Sequence, residues 1–171
     1  EPQAIATADE EIVVTARKLP EALSSIAGSI AVYVPRDPAR QDRATRAGDV
    51  ARGIEGLNVA NGGLGRERSF IRGLADSPFN GFSQSTVSVQ IDEGRGTYDA
   101  AEPGLYLTDI ARVEVLKGPQ GPLYGTGALG GVYRIVTNRP VIGATSGTAT
   151  IGAQMVGSGG LGANAEAMLN L

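Results

Sequence analysis

Three glycines, Gly125, Gly127 and Gly130, have the GxGxxG spacing of a dinucleotide-binding loop. Such a loop needs a strand that runs into its first glycine and a helix that begins at its last, because the helix N-terminus receives the pyrophosphate. Here GPQGPLY precedes the glycines and VYRIVTNRP follows them, which predicts a long turn between two strands. No Lys-Ser or Lys-Thr pair follows a glycine loop, so a P-loop is excluded as well.

Other catalytic chemistry has few residues to use, since the chain contains no histidine and no cysteine. Their absence removes the usual zinc ligands, a thiol nucleophile and a histidine-based triad. Asp92 and Glu114 are expected to pair with nearby arginines rather than to act as acid and base. The chain has 15 basic and 18 acidic residues, and the basic residues form no continuous block. Nucleic acid is therefore not an expected partner. We expect a protein without enzymatic activity, cofactor or metal.

The elements around the glycine-rich turn are short. The chain has 25 glycines in 171 residues, which indicates frequent turns. Together with the short strands and helices below, this predicts an α+β fold, a small mixed-sheet domain with long glycine-rich loops. A helix is expected over Asp49–Gly56 with Asp49 as its N-cap, and a helical turn over Leu107–Ile110. Ile12–Thr15 is a β-branched strand-former with no local segment to pair with. Further strands are expected at Ile30–Val34, Leu57–Val59, Ser69–Ile71, Val87–Ile91 and Val113–Leu116.

The last residues of the chain alternate in polarity. Thr148–Val156 and Ala163–Leu171, joined by the glycine-rich turn GSGGLG, predict a β-hairpin with one apolar and one mostly polar face. Strands of roughly 9–11 residues with alternating faces are typical of transmembrane β-barrels. An ordinary surface hairpin is the alternative.

The segment RVEVLKGPQGPLYGTGALGGVYRIVTNRP resembles the closing motif of the plug domain of TonB-dependent outer-membrane receptors. Four further segments resemble motifs of that family in the same order along residues 11–140: EEIVVTARK resembles the TonB box, and IEGLNV, SFIRGL and SVQIDEG resemble plug strands. Glu93 before Gly94, Glu55 in place of a common proline, and Thr126–Gly127 in place of a frequent Arg-Asn depart from the family pattern and leave the substrate class open. The positions that match the family's structural motif are Gly73, Gly118, Pro119, Gly121, Tyr124, Gly125, Gly130 and Gly131.

The resemblance implies three parts. Residues 1–18 are a periplasmic tail with the TonB box, residues 19–142 are the plug, and residues 146–171 are the first two strands of a transmembrane β-barrel of roughly 22 strands. TonB, part of the inner-membrane energy-transducing complex, would capture the box by adding it to a sheet edge, and a simple edge strand of the plug is the alternative. The box comprises Glu11, Ile12, Val13, Val14, Thr15 and Ala16.

The resemblance also implies two sets of contacts. Arg72 in FIRG and Lys117 in LKGP occupy positions where the family places cations that face glutamates on the barrel wall, and ordinary surface cations are the alternative. Cargo would meet the outward loops Asn61–Arg66, Asp76–Gln84 and Asp92–Tyr98, whose aromatic rings can equally pack against the barrel wall. The residues expected at the substrate loops are Arg66, Arg68, Phe79, Phe82, Arg95 and Tyr98.

The function implied is that of a component of a TonB-dependent active transporter in the bacterial outer membrane, with the plug facing the periplasm. The expected partners are TonB, the remaining barrel strands, outer-membrane lipid and a nutrient such as a siderophore, cobalamin or a saccharide. Two alternatives exist for the remaining strands, which belong either to a longer receptor or to a second polypeptide that pairs with the hairpin. The alternative function is a stand-alone soluble ligand-binding domain in the periplasm.

Overall fold

The computed structural model describes residues 12–35, 44–62, 67–75, 86–96, 106–155, 157 and 159–171. Within these ranges the strands and helices are, in chain order, β1 (Val13–Val14), β2 (Glu21–Ala22), β3 (Ile30–Tyr33), α1 (Ala47–Ala51), β4 (Leu57–Asn61), β5 (Glu67–Ile71), β6 (Val87–Ile91), β7 (Gly94–Arg95), β8 (Ile110–Lys117), α2 (Gly121–Tyr124), β9 (Gly131–Thr137), β10 (Ser146–Met155) and β11 (Leu161–Asn170). A short 3₁₀ turn covers Leu23–Ser25. No helix in the described ranges has the length and apolar character needed to cross a membrane.

A five-stranded mixed sheet in the order β3-β8-β9-β6-β7 forms the centre of the fold. β6 and β9 run parallel, and the other neighbouring pairs are antiparallel. β8 and β9 are the two strands on either side of the glycine-rich turn, and α2 lies within that turn. The predicted mixed sheet with a strand, a long turn and a second strand is therefore confirmed.

One face of the central sheet packs on α1 and on the β4–β5 hairpin. Val113 and Val115 of β8 and Tyr133 of β9 lie on this side, in one hydrophobic cluster with Val50 of α1 and Ile71 of β5. All five side chains are buried. The inward side chains of each strand are two residues apart because successive residues of a strand point to opposite faces. This cluster is the main hydrophobic core.

The opposite face of the sheet is covered by the N-terminal residues and by the turn that contains α2. Leu116 of β8 and Val132 of β9 pack here against Val14, Tyr124 and Ala128. Polar residues of β8 and β9 share this second face with the apolar ones. The two faces of the sheet therefore differ in chemistry.

The N-terminal strand has a local partner, contrary to the sequence prediction for Ile12–Thr15. Both residues of β1 pair with both residues of β2 in an antiparallel ladder. The chain reverses at Lys18, whose N–H donates to the Thr15 carbonyl oxygen at 2.9 Å and whose φ is +67°. A left-handed conformation at a non-glycine residue is uncommon, so the sequence carries no recognisable turn signal at this point.

The first helix lies earlier than predicted. α1 covers Ala47–Ala51, whereas the sequence prediction was Asp49–Gly56 with Asp49 as the N-cap. Asp49 lies inside the helix, and its carboxylate accepts hydrogen bonds from the backbone N–H groups of Thr45 and Arg46 at 2.9 and 3.0 Å. Burial raises the pKa of Asp49, but the hydrogen bonds from Thr45 and Arg46 outweigh it and leave the pKa below its ordinary value. The carboxylate thus reaches back to the helix start instead of capping it from outside.

The predicted helical turn Leu107–Ile110 is wrong. Leu107 runs beside Thr45, to whose carbonyl oxygen its N–H donates at 2.9 Å, and Ile110 already begins β8. Asp109 has a φ of +52°, which a right-handed helix does not allow. This segment therefore leads into β8 and does not form a helical turn.

The C-terminal hairpin predicted from the alternating sequence is present. β10 and β11 pair without a break, from Ser146 opposite Asn170 to Met155 opposite Leu161. Residues directly opposite each other lie on the same face of a hairpin. One face is entirely apolar and mostly small: Gly147, Ala149, Ile151, Ala153 and Met155 of β10, with Leu169, Ala167, Ala165, Ala163 and Leu161 of β11. The other face is mostly polar: Ser146, Thr148, Thr150, Gly152 and Gln154, with Asn170, Met168, Glu166, Asn164 and Gly162.

Two asparagines fasten the linker between the central sheet and this hairpin. The Asn138 side chain donates to the Asp109 carboxylate at 2.8 Å. Asn170 of β11 accepts a hydrogen bond from the Val141 N–H and donates to the Val141 carbonyl oxygen, both at 2.9 Å. Asn170 also donates to the Ala144 carbonyl oxygen. The linker is therefore attached at the sheet and at the hairpin.

Candidate functional site

The segment that resembles the TonB box lies on the second face of the central sheet. We call residues 12–18 the N-terminal segment. Ile12 and Val13 are 42% and 46% exposed, whereas Val14 and Ala16 are completely buried. Burial therefore begins at Val14: Ile12 and Val13 face solvent, and the residues from Val14 to Ala16 lie against the sheet.

Three charged residues under this segment form what we call the buried ionic cluster: Arg112, Glu114 and Arg134. Glu114 is fully buried and Arg134 is nearly so. Glu114 accepts hydrogen bonds from Arg112 Nε at 2.7 Å and from Arg134 Nη1 at 3.0 Å. The β8–β9 register places Glu114 directly opposite Arg134, with Arg112 two residues away on the same face. Two guanidinium groups therefore surround one carboxylate.

Thr15 completes the hydrogen bonding of the cluster. Its backbone N–H donates to Glu114 Oε1 at 2.9 Å. Its hydroxyl oxygen accepts hydrogen bonds from Arg112 Nη2 at 3.1 Å and from Arg134 Nη1. A buried carboxylate and buried guanidinium groups need such partners, because a polar group removed from water without one destabilises the fold. The N-terminal segment is thus part of the polar environment of the cluster.

A second set of contacts holds the residues that follow Thr15. The Tyr124 hydroxyl donates to the Ala16 carbonyl oxygen at 2.7 Å, and Lys18 Nζ lies 4.8 Å from the centroid of the Tyr124 ring. Lys18 Nζ also donates to Glu93 Oε2 at 2.8 Å, and Glu93 Oε1 accepts from Arg134 Nη2 at 2.7 Å. Burial raises the pKa of Tyr124 to about 12, and the hydrogen bond from Lys18 lowers the pKa of Glu93. One continuous network therefore joins the segment, the turn after β6, and the central sheet.

The chemistry available at this site is hydrogen bonding and ion pairing. Both carboxylates of the network are paired with cations, and its tyrosine stays protonated at neutral pH. In the part of the chain that the structure describes, no group of three or more histidine, cysteine, aspartate and glutamate side chains is placed to hold a metal ion. The arrangement is suited to holding a peptide segment against a sheet.

The sequence prediction that Asp92 and Glu114 pair with arginines is half correct. Glu114 pairs with two arginines, as described above. The Asp92 carboxylate instead accepts hydrogen bonds from the N–H and the hydroxyl of Thr137, both at 2.9 Å. Only the backbone carbonyl oxygen of Asp92 accepts from Arg134, at 3.0 Å. Asp92 has a φ of +52° at the end of β6, and this turn places its carboxylate beside the end of β9.

Of the two cations expected to face a barrel wall, Arg72 lies beside the backbone that directly follows Lys117. An ideal Cβ on Gly118 would be 3.9 Å from Nη1 of Arg72, so the guanidinium reaches the residue that follows Lys117. Arg72 is exposed and Lys117 is half-buried. Among the described residues, no carboxylate forms an ion pair with either of them.

Two glycines of the closing motif are required by the backbone and by packing. Gly118 has a φ of +108°, and Gly131 has a φ of +147°. A Cβ on Gly131 would overlap the Leu116 carbonyl oxygen and lie 2.8 Å from Ile71 Cδ1. Glycine is therefore needed where β9 leaves the turn and passes β8. The other motif positions in this turn are Pro119, Gly121, the buried Tyr124, Gly125 and Gly130, and Gly73 follows Arg72 after β5.

The central mixed sheet and its glycine-rich turn have a counterpart in a known family. Residues 22–132 match the family model described as TonB-dependent Receptor Plug Domain. The chain belongs to this plug-domain family.

Solved structures of outer-membrane receptors contain the same plug fold. The ferric yersiniabactin uptake receptor FyuA from Yersinia pestis is 25% identical, with a TM-score of 0.55 over 77% of this chain and 22% of that receptor. The pyoverdine outer membrane receptor FpvA from Pseudomonas aeruginosa PAO1 is 24% identical, with a TM-score of 0.61 over 82% of this chain and 20% of that receptor. The copper transporter OprC is 22% identical, with a TM-score of 0.50 over 72% of this chain and 19% of that chain. The plug chain thus matches about a fifth of the length of each of these proteins.

Most residues predicted at the substrate loops of the plug lie outside the described residues, and so does one residue of the TonB box. These are Glu11, Arg66, Phe79, Phe82 and Tyr98. Arg68 lies in β5 opposite Ala60, and Arg95 lies in β7 opposite Gln90. The two arginines therefore belong to different sheets.

The turn that precedes Arg95 lies beside the N-terminal segment. Glu93 in this turn forms an ion pair with Lys18. The start of the predicted outward loop Asp92–Tyr98 is therefore close to the segment that resembles the TonB box. This position does not favour cargo contact at Asp92 or Glu93.

Sequence reasoning missed most of the network around the N-terminal segment. Arg112, Arg134, Glu93 and Lys18 were not predicted as site residues. A signal was present in β8 and β9. Arg112 and Glu114 in RVEVL, and Arg134 in VYRIV, are charged residues in strands that are otherwise mostly apolar. The partner of that charged face is distant in sequence, so the pattern alone does not identify it.

Proposed function

We propose that this plug works in a TonB-dependent active transporter of the bacterial outer membrane. There it occludes the barrel lumen, binds cargo on its outer loops and is pulled through its TonB box to open the path. The observation that carries the proposal is the N-terminal segment, which is extended and rich in β-branched residues. It is held on the plug by the β1–β2 ladder and by hydrogen bonds at Thr15 and Ala16. Such a segment is suited to pairing with the exposed sheet edge of another protein.

The TonB box in this proposal is Glu11–Ala16. Ile12 and Val13 are the most exposed described residues of the box and offer the first point of contact. Strand addition uses backbone N–H and C=O groups, which gives affinity without requiring particular side chains. Val13 and Val14 pair with β2 and Thr15 is bound to the buried ionic cluster, so a pull on the box acts on the β1–β2 ladder and on that cluster.

The hairpin β10–β11 has the features expected of membrane-spanning strands in the barrel of a transporter. Each strand has 10 residues, within the roughly 9–11 that a tilted membrane strand needs. The apolar face would meet outer-membrane lipid and the polar face would meet the lumen. The strands that close the barrel, from the same or a second polypeptide, would pair with the edges of this hairpin. In this arrangement the plug faces the periplasm.

Arg72 and Lys117 are proposed contacts between the plug and the barrel wall. The Arg72 guanidinium lies beside Gly118, the residue after Lys117, so one region of a barrel wall would meet both cations. Inside a narrow lumen such a contact is partly shielded from water, so it holds more firmly than an exposed surface pair.

The proposed cargo is a nutrient such as a siderophore, with a saccharide or cobalamin as alternatives. Relatives with the same plug fold are receptors for ferric yersiniabactin and for pyoverdine, and one is a copper transporter. Cargo would meet Arg66, Arg68, Phe79, Phe82, Arg95 and Tyr98. The plug itself needs no cofactor for this role, and no enzymatic step is proposed.

The experiment that tests the proposal is binding of the purified chain to the purified C-terminal domain of TonB. Val13→Pro removes a backbone donor and is expected to weaken binding by about tenfold or more, because a ladder hydrogen bond is lost and the proline ring obstructs pairing. Val13→Ile keeps the N–H and the β-branched shape and should bind as the unmodified chain does. Equal binding of the proline and isoleucine variants would exclude Glu11–Ala16 as the TonB box.

A further inference from the structure

The linker between the central sheet and the C-terminal hairpin contains a tight turn that exposes two apolar side chains. The Ala144 N–H donates to the Val141 carbonyl oxygen at 3.3 Å, and Gly143 has a φ of +82°. A glycine with positive φ at the third position is typical of a type II β-turn. Ile142 is the second residue of this turn and is 98% exposed, and Val141 is 62% exposed. We call Val141–Ala144 the linker turn.

Asn170 of β11 fixes the linker turn. Its side chain accepts a hydrogen bond from the Val141 N–H and donates to the carbonyl oxygens of Val141 and Ala144. These contacts satisfy backbone groups that a turn otherwise leaves to water. Because they hold the turn on both sides, Ile142 stays exposed unless they break. The exposed isoleucine is therefore a feature of an ordered turn.

The linker turn continues the apolar face of the hairpin. That face reaches its linker end at Gly147 and Leu169, which lie opposite each other. Leu169 is 67% exposed, and it lines the same groove as Val141. Exposed apolar side chains at a membrane surface are stabilised by contact with acyl chains. In the proposed transporter the apolar face meets lipid, so the linker turn meets lipid at the same end of the hairpin.

A groove beside the linker turn carries one cation and one carboxylate. It has a volume of about 360 Å³, and its polar lining comprises Asp109, Asn138, Arg139, Ser146 and Asn170. Arg139 is exposed, and none of the ion pairs among the described residues involves it. Asp109 Oδ1 accepts from the Asn138 side chain at 2.8 Å, and no hydrogen bond within the described ranges uses Asp109 Oδ2. The groove therefore offers a guanidinium and a carboxylate oxygen to a ligand.

The charges in this part of the chain are few and ordered. Arg139 is the only lysine or arginine in residues 138–171, and Glu166, on the polar face of the hairpin, is the only acidic residue. Pro140 follows Arg139 directly and has a fixed φ, which limits how far the cation can move relative to Val141. A cation beside exposed apolar residues can contact phosphate and acyl chains together at a membrane surface. The linker therefore has the order of charge and apolarity that a lipid head group requires.

The linker starts at the end of the central sheet where the N-terminal segment lies. Thr137, the last residue of β9, donates to the Asp92 carboxylate, and the following residue, Glu93, forms an ion pair with Lys18. In the proposed transporter this end faces the periplasm, because TonB reaches the box from there. The lipid beside the linker turn is then that of the periplasmic leaflet of the outer membrane, which consists of glycerophospholipid.

We propose that the linker turn and the groove beside it bind the head group of phosphatidylethanolamine. Arg139 donates to the phosphate, whose oxygens match the planar guanidinium. Asp109 Oδ2 accepts from the ethanolamine ammonium group, which has N–H groups to donate. Val141 and Ile142 contact the first carbons of the acyl chains. The proposal deepens the proposed function and rests on it for the orientation of the hairpin in the membrane.

The test uses the absence of tryptophan from the chain, so that each introduced tryptophan is the only one. Ile142→Trp reports on the linker turn, and Ile151→Trp reports on the apolar face, where Ile151 is 85% exposed. Leu129→Trp reports on the glycine-rich turn of the plug, where Leu129 is 69% exposed. The full 171-residue chain is mixed with vesicles of phosphatidylethanolamine and phosphatidylglycerol that carry bromine on the acyl carbons nearest the head group. Bromine quenches tryptophan fluorescence on contact, so we expect quenching of the Ile142 and Ile151 reporters and none of the Leu129 reporter.

Recognition of the head group is tested in the Ile142→Trp chain. Arg139→Gln is expected to weaken vesicle binding about fivefold, the effect of one cation at a membrane surface. Arg52→Gln makes the same change at an exposed arginine just after α1 and should bind as the unmodified chain does. Asp109→Asn keeps an oxygen for Asn138 and is compatible with the φ of +52°. It should weaken binding about twofold to fivefold for vesicles with phosphatidylethanolamine. It should not do so when phosphatidylcholine replaces that lipid, because the choline ammonium group has no N–H.

The outcomes separate the head-group site from the proposed function. Quenching of Ile151→Trp alone would overturn the site and leave the hairpin in the membrane. Equal binding of Arg139→Gln and Arg52→Gln, or an equal effect of Asp109→Asn on both lipids, would overturn recognition of the head group. Quenching of Ile142→Trp without Ile151→Trp would retain the site and refute the membrane placement of the hairpin. Absence of quenching in both reporters would refute both proposals.

Discussion

Gly131 is a position where a single methyl group should disturb the plug strongly. In Gly131→Ala the new Cβ overlaps the Leu116 carbonyl oxygen and approaches Ile71 Cδ1 to 2.8 Å and Ile71 Cγ2 to 3.3 Å. Leu116 and Ile71 are buried, so neither has free space into which it can move. The φ of +147° at Gly131 adds backbone strain for a residue with a side chain.

The expected destabilisation of Gly131→Ala follows from these two terms. Overpacking of a buried site costs about 1–3 kcal/mol, and a strained backbone conformation costs about 1–3 kcal/mol more. We therefore expect the free energy of unfolding in urea to fall by about 2–6 kcal/mol, which at this chain length lowers Tm by about 4 °C or more. Circular dichroism of the mutant and the unmodified chain across a urea series measures the change.

Gly48→Ala is the matched control for this prediction. A Cβ at Gly48 meets no atom within 4 Å, and Gly48 lies inside α1, where alanine is favoured over glycine by about 1 kcal/mol. Its free energy of unfolding should therefore not fall. A Gly131→Ala variant as stable as Gly48→Ala would refute the packing argument for the start of β9.

Two further predictions concern ionisation around the N-terminal segment. The hydrogen bond from Lys18 lowers the pKa of Glu93 below its ordinary value of 4.5, so the Lys18–Glu93 contact contributes fully above that pH and is lost as the pH falls through the lowered pKa. Opening of the segment on acidification is followed by amide hydrogen exchange of the Thr15 N–H, corrected for intrinsic exchange rates. Glu93→Gln should remove the extra acid dependence. Burial raises the pKa of Tyr124 to about 12, so in an ultraviolet titration of the five tyrosines the Tyr124 phenol should ionise near that pH. Tyr124→Phe should reduce the absorbance change near that pH by the contribution of one phenol, and an undiminished change would refute the assignment to Tyr124.

The strands of the central sheet were largely readable from the sequence. Val87–Ile91 has the predicted bounds, and the strands on either side of the glycine-rich turn follow from β-branched residues bounded by glycine and proline. The GxGxxG spacing was predicted not to be a dinucleotide-binding loop because the residues after it favour a strand, and these residues form β9. Such patterns are local, and the sheet preserves them.

The elements that were wrong depend on tertiary contacts. The N-terminal strand pairs with β2 because the chain turns at Lys18. Lys18 has a left-handed backbone, and its side chain forms an ion pair with Glu93, which is distant in sequence. The helix near Asp49 begins earlier because the carboxylate binds backbone N–H groups that precede it. For the candidate site, the family motifs identified the segment and Tyr124, but the charged face beneath the segment requires the pairing of β8 with β9. Neither propensity nor spacing contains that information.

The order of strands in the central sheet has a consequence for the time course of folding. β3 pairs with β8, so Ile30 contacts Leu116, and β6 finds its parallel neighbour only when β9 is present. Sheets built from partners so distant in sequence form slowly, because a long loop must close before any contact compensates for its entropy. β3 therefore stays unpaired until residues 110–117 are available, and β6 has no parallel partner until residues 131–137 are available. The β1–β2 and β4–β5 hairpins, in contrast, can pair locally, so the central sheet of this plug is completed last.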